Sequence, residues 1–96
     1  MLEVRRKLGQ AVWIGDDICV VVRAICVIPE IKSKCVELDI WTKSSDVTSR
    51  LVAPRTRVAI EEGIAVSILK IYGRNAVKIA IAAPRQFLIL RAELRR

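Results

Sequence analysis

Tyr72-Gly73-Arg74-Asn75-Ala76-Val77-Lys78-Ile79-Ala80-Ile81 carries the pattern from which the fold of this chain is read. Val77, Ile79 and Ile81 alternate with Lys78 and Ala80, and a period of two sends successive side chains to opposite faces of an extended strand. The Gly-Arg-Asn turn before them predicts that the run Ile64 to Tyr72 folds back onto Val77 to Ala82 as a hairpin. The same alternation recurs at Val36, Leu38 and Ile40 against Glu37 and Asp39, and Ile18 to Ile28 is a further long Val/Ile run of the kind that packs on a pleated surface. The expected fold is all-β: a small antiparallel barrel or sandwich of short strands.

The 96 residues fit one domain, 1–96, and an apolar content of 53% supplies a core; with 4 Gly and 3 Pro the chain is neither linker nor disordered segment. Seventeen Lys and Arg against ten Asp and Glu give a formal charge of +7, a field that attracts polyanions without choosing among them. Nucleic acid is therefore the expected partner, ahead of a membrane surface. The longest weakly charged run, Ile18 to Pro29, is interrupted by Arg23 and is too short to span a bilayer. The run after Arg5, Arg6 and Lys7 is broken by Gly9, Gln10, Asp16 and Asp17, unlike a signal peptide, so a cytoplasmic address is expected.

Catalysis finds little chemistry here. There is no histidine, hence no common neutral-pH general base, and Asp16-Asp17 and Glu61-Glu62 fall at turns where solvated carboxylates belong. Cys19, Cys26 and Cys35 form no Cys-x-x-Cys pair, and free thiols packed as small hydrophobes are expected rather than a disulfide or metal site. No enzyme activity, cofactor or metal is expected.

Laid over one another, the halves repeat. Trp13-Ile14-Gly15-Asp16-Asp17-Ile18-Cys19-Val20 is similar to Ala59-Ile60-Glu61-Glu62-Gly63-Ile64-Ala65-Val66, and Val36 to Ile40 to Val77 to Ile81, with the offset changing from 46 to 41 residues between the two. This alignment sets Arg50 opposite Arg91, divides the chain near Leu51 to Pro54 into repeats 1–52 and 53–96, and leaves the second without a clear counterpart of the opening strand Leu2 to Arg6. Insertion of residues 26–63 into a single unit stays open beside duplication.

Two segments resemble a known family. Met1-Leu2-Glu3-Val4-Arg5-Arg6-Lys7-Leu8-Gly9-Gln10, continuing to Ile14-Gly15-Asp16-Asp17, is similar to the start of the carbon storage regulator proteins, also called CsrA or Rsm. Gly73 to Leu94 resembles the rest of that family's core: a turn, a Val-x-Ile-x-Ile strand, Ala83-Pro84-Arg85, an apolar strand, then Arg91-Ala92-Glu93-Leu94. The matches cover about half of the chain. The chain departs from the pattern in its charged Arg5 and in reaching Arg96 without the family's C-terminal helix.

The resemblance implies an intertwined homodimer or, with fused copies, a single-chain pseudo-dimer, in which the first and last strands build a composite RNA site. Val4, Arg5, Arg6 and Lys7 would supply one side and Leu90 and Arg91 the other, with Arg85 nearby in a loop. The implied ligand is a GGA-containing segment of a messenger leader, with antagonist small RNAs as further partners, and the implied outcome is repression of translation. Forked guanidinium groups suit the two acceptors of guanine, a role expected of Arg6 and Arg91, while Arg5 and Lys7 suit phosphates. The plainer alternatives are a solvated edge strand for Arg5-Arg6-Lys7 and a surface pair with Glu93 for Arg91. Trp13, Trp41 and Tyr72 are expected in core or interface packing. A second functional class is an interaction module that modulates a full-length regulator by strand exchange, suited by the acidic Glu37 and Asp39 where the later strand has Lys78 and Ala80.

Overall fold

A computed structural model describes residues 1–94. The strands are β1 (Leu2–Lys7), β2 (Ala11–Ile14), β3 (Ile18–Ile28), β4 (Ser33–Thr42), β5 (Ser45–Val52), β6 (Arg57–Glu61), β7 (Ile64–Tyr72), β8 (Ala76–Ala82) and β9 (Ile89–Arg91), followed by a single 3-10 turn, Ala92–Leu94. They form two antiparallel sheets, β1-β8-β7-β6 and β5-β4-β3-β2-β9. The all-β expectation holds, and the alternating positions behave as read: Val36, Leu38, Val77, Ile79 and Ile81 are fully buried. Both sheets feed one core cluster, in which each of these side chains contributes roughly 1.5–3 kcal/mol by leaving water.

The internal correspondence runs further than the sequence alignment. Strand β1 pairs with β8 through Val4↔Ile79 and Arg6↔Val77, and β5 pairs with β4 through Arg50↔Leu38 and Val52↔Val36. Strand β3 has a register shift between Val22 and Ala24, and β7 has one between Ile68 and Lys70. Gly9 N–H donates to Val22 O at 2.7 Å, and Arg55 N–H donates to Ile68 O at 2.7 Å; both donors have positive φ, 84° and 67°. Residues of β1 to β3 keep a 46-residue offset from those of β5 to β7, while β4 and β8 differ by 41, and the change falls at the β3–β4 hairpin tip, which is longer than the β7–β8 tip.

Two expectations are corrected by this register. The second half does have a counterpart of the opening strand, β5, hidden from sequence comparison because Thr48-Ser49-Arg50-Leu51 matches Leu2-Glu3-Val4-Arg5 at no aligned position. Arg50 therefore corresponds to Val4 and not to Arg91. The element without a counterpart is β9: it pairs with β2, whereas β6, the equivalent of β2, pairs only with β7 among the described residues. The chain turns from β4 straight into β5, where the second half runs from β8 through residues 83–88 to β9. Residues 26–63 hold the end of β3 and β4 to β6, whose pairings parallel those of strands elsewhere in the chain.

Candidate nucleic-acid interface

Strand exchange between the sheets brings the two ends of the chain together. Strand β1 lies at the edge of one sheet and β9 at the edge of the other, and between them runs a groove of about 140 Å³ lined by Leu2, Glu3, Val4, Val12, Ile89, Leu90, Arg91 and Leu94. Val4, Leu90 and Arg91, three of the residues expected at the site, thus share one groove. Val4 turns inward, 6% exposed, because β1 alternates like its neighbours, while Arg91 is exposed at the end of β9.

Arg6 occupies a different position from the one expected of a base-reading side chain. It is 4% exposed, and its Nε donates to Arg5 O at 2.9 Å, one terminal nitrogen donates to Ala11 O at 3.1 Å and to Glu93 Oε1 at 2.6 Å, and the other donates to Glu93 Oε2 at 3.0 Å. This forked ion pair ties β1 to the turn after β9. Arg6, not Arg91, is the cation paired with the Glu93 carboxylate, so the Arg91–Glu93 surface pair weighed from the sequence is replaced by Arg6–Glu93. The Arg6 hydrogen bond, helped by one from Glu93's own backbone N–H, holds the Glu93 carboxyl at about 2, against an ordinary 4.5.

The remaining expected residues flank the groove. Arg5 is exposed and stacks its guanidinium carbon 4.1 Å from the Tyr72 ring centroid, with Lys70 Nζ 5.2 Å from the same centroid. Lys7 is exposed, and Arg85 stands exposed in the turn after Pro84, outside the groove lining. Lys78, 3.0 Å from Glu3, has its ammonium pKa raised by that carboxylate and stays charged. The outer face of the β1-β8-β7 sheet is therefore mostly basic. On the other sheet the equivalent positions carry Glu37 and Asp39, the latter held by Arg23 at 3.1 Å and by the Ser49 hydroxyl at 2.6 Å.

Sequence reasoning missed two contributors. Tyr72 was expected to pack, yet it is half-buried beneath Arg5 and Lys70; Glu93, weighed as a surface partner of Arg91, pairs with Arg6. Neither leaves a local signal, since Arg6 and Glu93 are 87 residues apart in the chain. Trp13 and Trp41, also expected to pack, meet edge to face at 5.6 Å, half-buried on the side of their sheet away from the core.

The family model of the CsrA global regulator proteins matches residues 53–96, from the end of β5 through the turn that carries Glu93. The match covers just under half of the chain and makes that part similar to the carbon storage regulator family. The matched stretch contains Glu93 and the β9 side of the groove, Ile89, Leu90 and Arg91. No curated protein and no solved structure matches the chain. No helix is long and apolar enough to cross a membrane, and no group of three or more His, Cys, Asp or Glu among the described residues is arranged to hold a metal ion.

Proposed function

We propose that the chain is a sequence-selective RNA-binding regulator that takes a GGA-containing single-stranded segment into the β1–β9 groove and represses translation when that segment overlaps a ribosome-binding region. The observation that carries this reading is the meeting of Val4, Leu90 and an exposed Arg91 in one groove beside a basic sheet face. Single-stranded RNA is read through splayed base edges and stacking, and a free guanidinium at the mouth of an apolar groove offers both a fork for guanine and a wall for its ring. Arg91 takes the reading role. Arg6, with four of its N–H donors engaged, acts as a positioning residue that fixes β1 against the last described turn, and Arg5, Lys7, Lys70 and Lys78 supply the phosphate-facing field.

In this reading the chain is two fused, unequal copies in one domain, cytoplasmic, and it binds messenger leaders with no catalysis. One site is complete, and the equivalent position between β5 and β6 lacks a last strand among the described residues. A gel shift comparing a GGA hairpin with the same hairpin mutated in its loop tests the reading. Discrimination that disappears in Arg91→Ala supports it; equal binding of both hairpins by the unaltered protein refutes it. The unpaired edge of β6, together with Glu37 and Asp39 on the non-basic sheet, favours a second reading as a module that associates with a full-length regulator; co-purification with that regulator in the absence of any RNA shift is its signature.

A further inference from the structure

Around the edge of β9 from the groove lies a second cleft, of about 190 Å³, lined by Trp13, Gly15, Asp16, Gln86, Leu88 and Leu90. Leu90 lines both spaces and sits directly across the β2–β9 pairing from Trp13, so the two are continuous over a single side chain. We propose that this cleft is a nucleobase subsite, in which the base next to the segment held in the groove stacks on the Trp13 indole. The inference rests on the RNA-binding reading of the groove and extends it to a flanking nucleotide.

Three features carry it. The indole is fixed before any ligand arrives: its ring is braced edge to face by Trp41, and its backbone is paired to both β3 and β9. A rigid aromatic wall loses little freedom when a base stacks on it, and stacking tolerates any base because each has a π face. The opposite side is equally set, since Gly15 N–H donates to Leu88 O at 2.7 Å and pins the 83–88 connection beside Trp13 while Leu88 remains 66% exposed. Finally, the polar rim is wrong for phosphate and right for a base: the Asp16 carboxylate repels the backbone but accepts N–H from an exocyclic amine, and the Gln86 amide both donates and accepts. Adenine, cytosine and guanine carry such an amine and uracil does not, so the subsite prefers an amino-bearing base. A cleft of about 190 Å³ has room for one heterocycle and not for a folded element.

The test compares a minimal GGA RNA with the same RNA extended at either end by adenosines or by uridines, using Trp41→Phe so that Trp13 is the sole tryptophan. The adenosine-extended RNA is expected to quench Trp13 fluorescence and to bind between about fivefold and a hundredfold more tightly than the minimal RNA, with uridines giving less. Trp13→Leu, checked for folding by circular dichroism, should erase that gain while leaving the minimal RNA's affinity unchanged. Binding of the minimal RNA with no gain on extension and silent Trp13 fluorescence overturns the subsite and leaves the groove reading standing. Failure of every RNA to bind overturns both.

Discussion

Arg6 and Glu93 close the molecule: a buried guanidinium on the first strand grips a carboxylate in the last described turn, at 2.6 and 3.0 Å, across nearly the whole length of the chain. Because Val12↔Arg91 pairing places β9 beside β2, the ion pair holds the two walls of the groove in register without using Arg91. Arg6→Ala should lower stability by roughly 2–3 kcal/mol, since it removes a buried stem and leaves Ala11 O without its side-chain donor. Urea unfolding measures this, and a value within error of zero would contradict the structural role. RNA affinity of the folded variant should fall for all sequences alike, whereas Arg91→Ala should lose discrimination among them.

Acid should weaken the same contact in a defined window. Folding depresses the Glu93 carboxyl from 4.5 to about 2, so the ionised form is favoured by the native state. The contribution is fully present above about pH 4.5 and is lost as pH falls toward 2. Unfolding of the unaltered protein and of Glu93→Gln at several pH values should therefore show a stability gap at pH 7 that closes near pH 2. A gap that stays constant over this range would place the stabilisation elsewhere.

Two glycines with positive φ should respond differently to alanine. Gly9 (φ 84°) has open space where a Cβ would stand, and its structural equivalent is Arg55, so Gly9→Ala should cost only about 1 kcal/mol of backbone strain. At Gly15 (φ 62°) an added Cβ would come within 3.0 Å of the Phe87 ring, so Gly15→Ala carries the same strain and also displaces the 83–88 connection. Thermal unfolding should rank Gly15→Ala clearly below Gly9→Ala; the reverse order would mean that the connection is not held against the β2 turn.

Arg5 and Lys7 are exposed and outside the groove lining. Replacing either by Ala should weaken RNA binding equally for matched and mutated loops, and should reduce the slope of log affinity against log salt by about one. A change in loop preference instead would assign that residue to base reading. Loss of the Arg5 guanidinium should also uncover Tyr72, visible as increased accessibility of the phenol ring.

Titration of a GGA hairpin should saturate at one RNA per chain. The position equivalent to the groove, between β5 and β6, has Arg50 where the complete site has the buried Val4, Val52 where it has Arg6, and no strand equivalent to β9 among the described residues. Two equal sites per chain would refute the inequality of the halves.

Strand content was legible in the sequence because alternation at Val36 to Ile40 and Val77 to Ile81 is a local consequence of one buried face, and the Tyr72 to Asn75 turn announces its hairpin. The ends of the groove, Val4 with Leu90 and Arg91, were also legible, though through family resemblance and not through periodicity. Strand β5 was not. Its residues Ser45 to Leu51 are exposed, so no apolar stripe was selected, and its place is set by backbone pairing to β4, which any side chains at these positions can satisfy. The same holds for which arginine reaches Glu93. By itself, the sequence determined an all-β, basic chain whose strand pattern recurs along its length. Only the tertiary structure decided that strands from the two ends of the chain meet, that Arg6 and not Arg91 forms the ion pair with Glu93, and that among the described residues the β6 edge stays unpaired. Hydrophobic patterning specifies faces, and it is the non-local pairing of strand edges that specifies neighbours.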